Sequence, residues 1–240
     1  MINTYFESNL HKSLKAMYSE KFNGKAEQKI HGKICDILTA TNTIIEIQTG
    51  NLGKLKDKIK HLLPNHQIHI VYPLPIKKKI ETYSTEGKLL SSRRSPKKQN
   101  IFYLFREITA IYPFFNERNF TLEVLETEIT EIRTRTDVPV QLQNKSRRFC
   151  KNWYKTDKKL DKIISSHVIS SMDDLVSLLP KNLPEIFCTQ DLKILGAEEN
   201  ANYVIWVLKK AKKIVFIEKK GNTNYYKKTA SCKSKMPFQN

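Results

Sequence analysis

Asp36, Glu46 and Gln48 are the side chains whose type and spacing best support chemistry. Glu46 lies inside the apolar run Ile44–Ile47, where an unpaired charge is costly. Glu46 and Gln48 flank Ile47, so on a strand they share one face. If Lys33–Ala40 and Thr43–Gln48 pair as a hairpin around Thr41-Asn42, Asp36 and Glu46 approach on one side. Two carboxylates so placed suit a hard cation such as Mg²⁺, which prefers oxygen ligands. Such an ion polarises a scissile phosphate and lowers the pKa of a bound water. Glu7 is a candidate further ligand, and Glu27 a weaker one; His11, His31, Lys54 and Lys58 are candidates for phosphate contact. A solvated helix face explains Glu7, Lys54 and Lys58 about as well.

The elements that must position these groups follow from periodicity. Phe6, Leu10, Leu14 and Met17 recur at helical spacing over Tyr5–Ser19, with Glu7 and His11 together on another face. Asn23-Gly24 makes a turn, then the two strands follow. Gly50 breaks the chain, and Asn51 can cap a helix over Leu52–Leu63 with Leu52, Leu55, Ile59, Leu62 and Leu63 on one face. Gln67–Tyr72 is a buried strand ended by Pro73. This order predicts a mixed α/β sheet in which the Leu52–Leu63 helix is a crossover. Residues 77–98 look like a basic insertion, with a hairpin around Glu86-Gly87 and a loop at Arg93–Lys98. Ile101–Tyr112 is predicted as a helix and Phe120–Ile132 as a strand.

The segment GKICDILTATNTIIEIQTGNLGKLKDKI, Gly32–Ile59, resembles the PD-(D/E)XK phosphodiesterase superfamily, which includes many restriction endonucleases. It carries the Asp, a Glu-x-Gln doublet ten residues later and the helix after it; the usual Lys of the doublet is replaced by Gln48. Some restriction endonucleases of that superfamily use Gln there. The resemblance covers about the first 72 residues well and extends loosely to about 135. It implies a restriction-endonuclease-like core, a site of Asp36, Glu46, Gln48 and Glu7, and Mg²⁺ (or Mn²⁺ in its place) held by Asp36 and Glu46.

Residues 136–165 are polar and basic and are read as a linker, placing domains at 1–135 and 166–240. The C-terminal text Phe187–Lys228 resembles a winged helix-turn-helix, a small α+β domain. Thr189–Leu195 would be its first helix, Glu198–Lys210 its recognition helix, and the strands around Lys219–Asn222 its wing. In that motif the recognition helix enters the major groove through its N-terminal part. Asn200 and Asn202 would then reach base edges, with Lys219, Lys220 and Lys227 on phosphates. Arg93, Arg94, Lys97 and Lys98 form a further candidate DNA arm.

The net charge of +18 favours a polyanionic partner. It is concentrated in residues 77–98, 145–162 and 206–240, as expected for a nucleic-acid footprint. Cys35, Cys150, Cys188 and Cys232 form no CxxC pair, which argues against a zinc site or a disulfide framework. There is no long apolar run and no signal-peptide pattern at the N-terminus. The expectation is a cytoplasmic, Mg²⁺-dependent, sequence-specific endonuclease acting on double-stranded DNA, as a homodimer and away from membranes. The rivals are a DNA-binding regulator with a degenerate nuclease fold and a structure-selective repair nuclease.

Overall fold

The computed structural model describes residues 7–141 and 149–229. They form a mixed α/β fold with a large mixed sheet. Helix α1 (Asn9–Lys21) opens the described chain, its first turn closed by Ser8, whose side chain accepts from the His11 amide. Three strands follow in antiparallel succession, β1 (Lys25–Ile30), β2 (Lys33–Leu38) and β3 (Thr43–Ile47). A 3-10 turn (Leu52–Leu55) and helix α2 (Lys56–Leu62) then carry the chain to β4 (Gln67–Tyr83), which lies parallel to β3. The expected crossover is present.

The other edge of β4 pairs along its length with β6 (Phe120–Val140), which is antiparallel to β7 (Lys151–Ile169). Strand β5 (Leu89–Arg94) returns along β4 beyond the end of β3. Among the described residues the order is β1-β2-β3-β4-β6-β7, with β5 on β4.

Leu10, Leu14 and Tyr18 of α1 pack on Ile37, Ile45, Ile47, Val71, Leu125 and Ile129. Cys35, Ile44, Ile68, Ile70 and Leu122 belong to the second cluster, with Leu55, Ile59 and Leu62 at α2. Strand alternation thus divides the sheet between α1 and α2.

The C-terminal section contains α4 (Met172–Ser177), β8 (Ile186–Cys188), α5 (Thr189–Leu192), α6 (Ala201–Lys210), β9 (Ile214–Lys220) and β10 (Thr223–Lys228). Its strands form a small sheet in the order β8-β10-β9. Its apolar residues Leu175, Phe187, Val204 and Leu208 join the second cluster together with Phe102, Leu104 and Phe105 of the helix α3 region (α3, Tyr103–Glu107).

Several expectations need correction. Residues 136–165 are not a linker: β6 runs to Val140 and β7 starts at Lys151, while 142–148 of that segment lie outside the described residues. The misreading came from composition, because β7 is largely exposed and its Lys and Asp residues hide the strand. Pro73 does not end β4. By strand parity Pro73 and Pro75 turn their missing N–H toward the edge between the end of β3 and the start of β5, where β4 has no ladder partner. Arg93 and Arg94 end β5 rather than opening a loop. Ile101–Tyr112 breaks into the short α3 and 3-10 turns. Strand β1 was not expected, since KAEQKI has no apolar alternation; it is a mostly exposed edge. Asn51 adopts φ 52° and caps nothing with its side chain; Glu107 Oε2 instead accepts from the Leu52 amide at 3.4 Å.

Candidate active site

The pairing of β2 with β3 runs through Leu38–Ile44 and Ile37–Ile45 and then stops. Beyond it the strands part, and their backbone amides bond to carboxylates instead. The Ile47 N–H donates to Asp36 Oδ2 at 2.8 Å, and the Asp36 N–H donates to Glu46 Oε1 at 3.3 Å. Each acid therefore closes the partner strand's ladder, and the two carboxyl groups converge where the sheet opens.

Glu46 is 6 % exposed. Burial, and after it the Asp36 charge, pushes its carboxyl up to about 7, against the pull of Lys58. Lys58 reaches back from α2 to place Nζ 2.5 Å from Glu46 Oε1, and it also donates to the Ile34 carbonyl at 2.5 Å. Asp36 moves the other way. Burial opposes its charge, but the His11 hydrogen bond and charge and the Ile47 amide hold it below its ordinary value. His11 Nε2 lies 3.3 Å from Asp36 Oδ2, and its Nδ1 meets Glu7 Oε1. Burial works against the imidazolium, yet Asp36 and Glu7 keep its pKa raised. Lys15 Nζ lies 2.7 Å from Glu7 and 3.0 Å from Glu27. The result is a chain of ion pairs running from Glu27 through Lys15, Glu7 and His11 to Asp36, beside which stands the second acid, Glu46, paired with Lys58.

The expected residues divide clearly. Asp36 and Glu46 come together, and Glu7 joins them through His11. Gln48 does not: its amide Nε2 donates to the Gly50 carbonyl and, at 3.4 Å, to that of Asn51, so it braces the loop after β3. His31 is exposed beside His61 and His66, while Lys54 is exposed on the turn before α2. Sequence reasoning gave Lys58 only a role toward phosphate and missed its pairing with Glu46. A signal existed, because Lys58 sits three residues after Leu55 and four before Leu62, on the border of the buried stripe of α2.

Among the candidate DNA contacts, Arg93, Arg94, Lys97 and Lys98 are exposed, with Lys97 Nζ 5.3 Å from the Tyr103 ring centroid. Lys219, Lys220 and Lys227 are exposed on the β9–β10 hairpin. Lys220 pairs with Glu218 at 2.9 Å and Lys227 with Glu185 at 2.8 Å. Asn202 is exposed, but Asn200 is 7 % exposed and cannot read a base edge from there. The 3-10 turn Glu198–Asn200 ahead of α6 turns it inward. Cys35 and Cys188 are buried and Cys150 is exposed; Cys232 lies outside the described residues.

Asp36 and Glu46 offer oxygen donors only, so a hard cation fits them. Among the described residues no cluster of three or more His, Cys, Asp or Glu is placed to hold a metal ion. Two carboxylates leave other coordination positions to water or phosphate, which suits an ion that sheds water reluctantly.

Residues 8–170 match the model of DUF8091, a domain of unknown function. This chain belongs to that family. The matched region runs from the N-cap of α1 to the end of β7, so it holds the carboxylate pair and the whole large sheet. The chain is also similar to an uncharacterized protein of Treponema pallidum (strain Nichols), 30 % identical over 238 residues, covering 98 % of this chain and 91 % of that protein. No solved structure gives a significant match. The DUF8091 match ends one residue before Ser171, the N-cap of α4, so the C-terminal section lies beyond it.

Proposed function

We propose that this protein is a metal-dependent endodeoxyribonuclease with a PD-(D/E)XK-type core, cleaving double-stranded DNA at specific sequences. The observation that carries the reading is the parted end of β2 and β3, where Asp36 and Glu46 converge under a lysine from α2. The order α1-β1-β2-β3-α2-β4, with β4 parallel to β3, agrees with the core that the sequence resemblance implies.

Mg²⁺ or Mn²⁺ bound by Asp36 and Glu46 would supply Lewis acidity toward the scissile phosphate and acidify a bound water. The chain's own groups would do the rest. Lys58 carries the positive charge that Gln48 lacks and lies against Glu46, placed to stabilise negative charge developing on the phosphate. His11, held between Glu7 and Asp36, fixes the Asp36 carboxylate. Gln48 holds the loop through Asn51 rather than touching the reacting atoms.

The C-terminal elements, α4-β8-α5-α6-β9-β10 with sheet order β8-β10-β9, support a winged-helix reading, with Asn202, Lys219, Lys220 and Lys227 toward DNA. Cleaving both strands of a duplex takes two such sites, hence a homodimer in this reading, which also keeps the protein in the cytoplasm with its DNA. Among the described residues no helix is long and apolar enough to cross a membrane.

The test is incubation of long duplex DNA with purified protein and Mg²⁺ or Mn²⁺, beside Asp36→Ala and Glu46→Ala. Discrete fragments from the parent protein alone are expected. Cutting only at branched DNA, lost in both variants, points to a repair enzyme. DNA binding with no cleavage even by the parent protein sinks the nuclease reading. It would favour the regulator, for which the diverted Gln48 side chain speaks.

A further inference from the structure

Strands β4, β6 and β7 run well past the end of β3 and, joined by β5, form an extension of the sheet. Glu131 sits within it and is only 1 % exposed. Three cations from three strands converge on that carboxylate. Lys78 Nζ of β4 is 3.2 Å from Oε2 and Lys155 Nζ of β7 is 3.1 Å from the same oxygen. Arg133 of β6 meets Oε1 with Nη2 at 2.5 Å and Nε at 2.7 Å. Lys158 lies directly across from Glu131 in the β6–β7 register and is half-buried. The Trp153 ring stacks on the Arg133 guanidinium at 3.7 Å.

Three cations thus bond to one carboxylate and Lys158 stands beside it, a formal excess of three positive charges. Among the described residues no other acid forms an ion pair with these four side chains. Asp157 accepts from the Asn9 amide at 2.8 Å and from the Lys158 backbone N–H, while Asp161 accepts from Thr130. Glu81 is taken by Lys79 and Tyr83. Burial and the neighbouring Lys155 lower the pKa of Lys158, as expected for a cation short of a counter-charge. Glu131 therefore works as an internal template that holds cations of three strands together for an anion outside.

We propose that the Lys78–Arg133–Lys155–Lys158 cluster is a backbone-phosphate site by which this sheet extension grips a nucleic-acid strand. A strand suits it better than a small phosphate compound because the cluster continues into more positive charge. The basic segment 77–98 and the described part of the second one, 149–162, far apart in sequence, meet here through β4, β5 and β7, with Arg93 and Arg94 exposed on the same extension. The site needs neither the metal pair nor catalysis.

The experiment measures binding of a fluorescein-labelled duplex by anisotropy across a salt series in EDTA, where metal-dependent cleavage is silent. Lys155→Ala with Lys158→Ala is expected to weaken binding about tenfold at 0.15 M salt and to flatten the log–log salt slope by about 1–2. The Arg pair at the same positions should restore both, and Lys29→Ala with Lys33→Ala, at the β1–β2 turn, should leave the slope near the parent value. A second readout covers poor folding of the Ala pair. The chain has two tryptophans, so Trp206→Phe leaves Trp153 as the reporter beside Arg133. Its emission should change on adding duplex. An unchanged salt slope in a folded Ala pair, or a silent Trp153, overturns the proposal. So does a Trp153 response to inorganic pyrophosphate with none to duplex. Loss of this site with metal-dependent cutting intact would leave the nuclease reading standing.

Discussion

Lys58 Nζ lies 2.5 Å from Glu46 Oε1, although the two residues come from different elements, α2 and β3. The 3-10 turn after β3 brings the helix back over the strand end, so the cation reaches the site from the helix and not from position 48. Lys58→Ala should leave Glu46 buried beside Asp36 with no cation. In the proposed nuclease, cleavage should fall about 10²-fold or more, while Lys58→Arg retains part of it. The melting temperature of the Ala variant should also drop, because Glu46 loses its counter-charge, and by only the equivalent of about 1–3 kcal/mol, because Glu46 escapes its isolation by protonating. Full cleavage by Lys58→Ala would remove Lys58 from the site.

The Glu46 carboxyl, raised to about 7, gives the protein a pH signature. Folded Glu46 binds its proton more tightly than the unfolded chain does. Its contribution to stability is therefore fully present at low pH and declines as pH rises from the ordinary carboxylate range through 7. Glu46→Gln should remove that decline and stabilise the metal-free protein at pH 8. A cation must displace the same proton, so Mg²⁺ affinity should tighten about tenfold between pH 6 and 8, with proton release largest at the acid end. Titration calorimetry in buffers of different ionisation heat checks both. Affinity independent of pH would mean that Glu46 is not a ligand.

Much of this core was legible because its signals are local. Ile44, Ile45 and Ile47 announce a strand, Glu46 is conspicuous among them, and Leu55, Ile59 and Leu62 mark α2. What was hidden depends on distant partners. Strand β7 is polar on its exposed positions, and only pairing with β6 makes it a strand. Asn200 reads as a polar tip of a recognition helix until the turn before α6 buries it. The side-chain direction of Gln48 is set by the Gly50 and Asn51 carbonyls, a conformational choice that residue type does not reveal.

A buried acid also ties α1 to the sheet. Glu123 of β6 accepts from Ser166 Oγ at 2.8 Å, meets His69 Nε2 at 2.8 Å and bonds to Tyr18 of α1. Burial opposes its charge, but His69, Ser166 and Tyr18 together hold its carboxyl down to about 2. The sign is opposite to that of Glu46: this stability is present above the ordinary carboxylate range and lost as pH falls through 2. Glu123→Gln should cost about 2–3 kcal/mol at pH 7 and flatten the acid limb of unfolding. A variant as stable as the parent at both pH 7 and pH 3 would show that the network contributes nothing net.

The C-terminal section shares its core with the large sheet, and this sets how the chain unfolds. Phe102, Leu104 and Phe105 belong to one apolar cluster with Leu175, Phe187, Val204 and Leu208. The Tyr112 and Trp206 rings meet edge to face at 5.6 Å, and Asn100 Nδ2 donates to the Gly196 carbonyl at 2.8 Å. Ending the chain at Ser170 would expose the apolar residues of α3, so that product should aggregate or melt well below the full chain. The intact protein should unfold in one calorimetric transition, and Tyr112→Ala should lower it as a whole by about 1–3 kcal/mol, since an aromatic pair and buried area go together. Two separable transitions, with Tyr112→Ala shifting neither, would mean that the sections fold independently and that the shared cluster couples them only weakly.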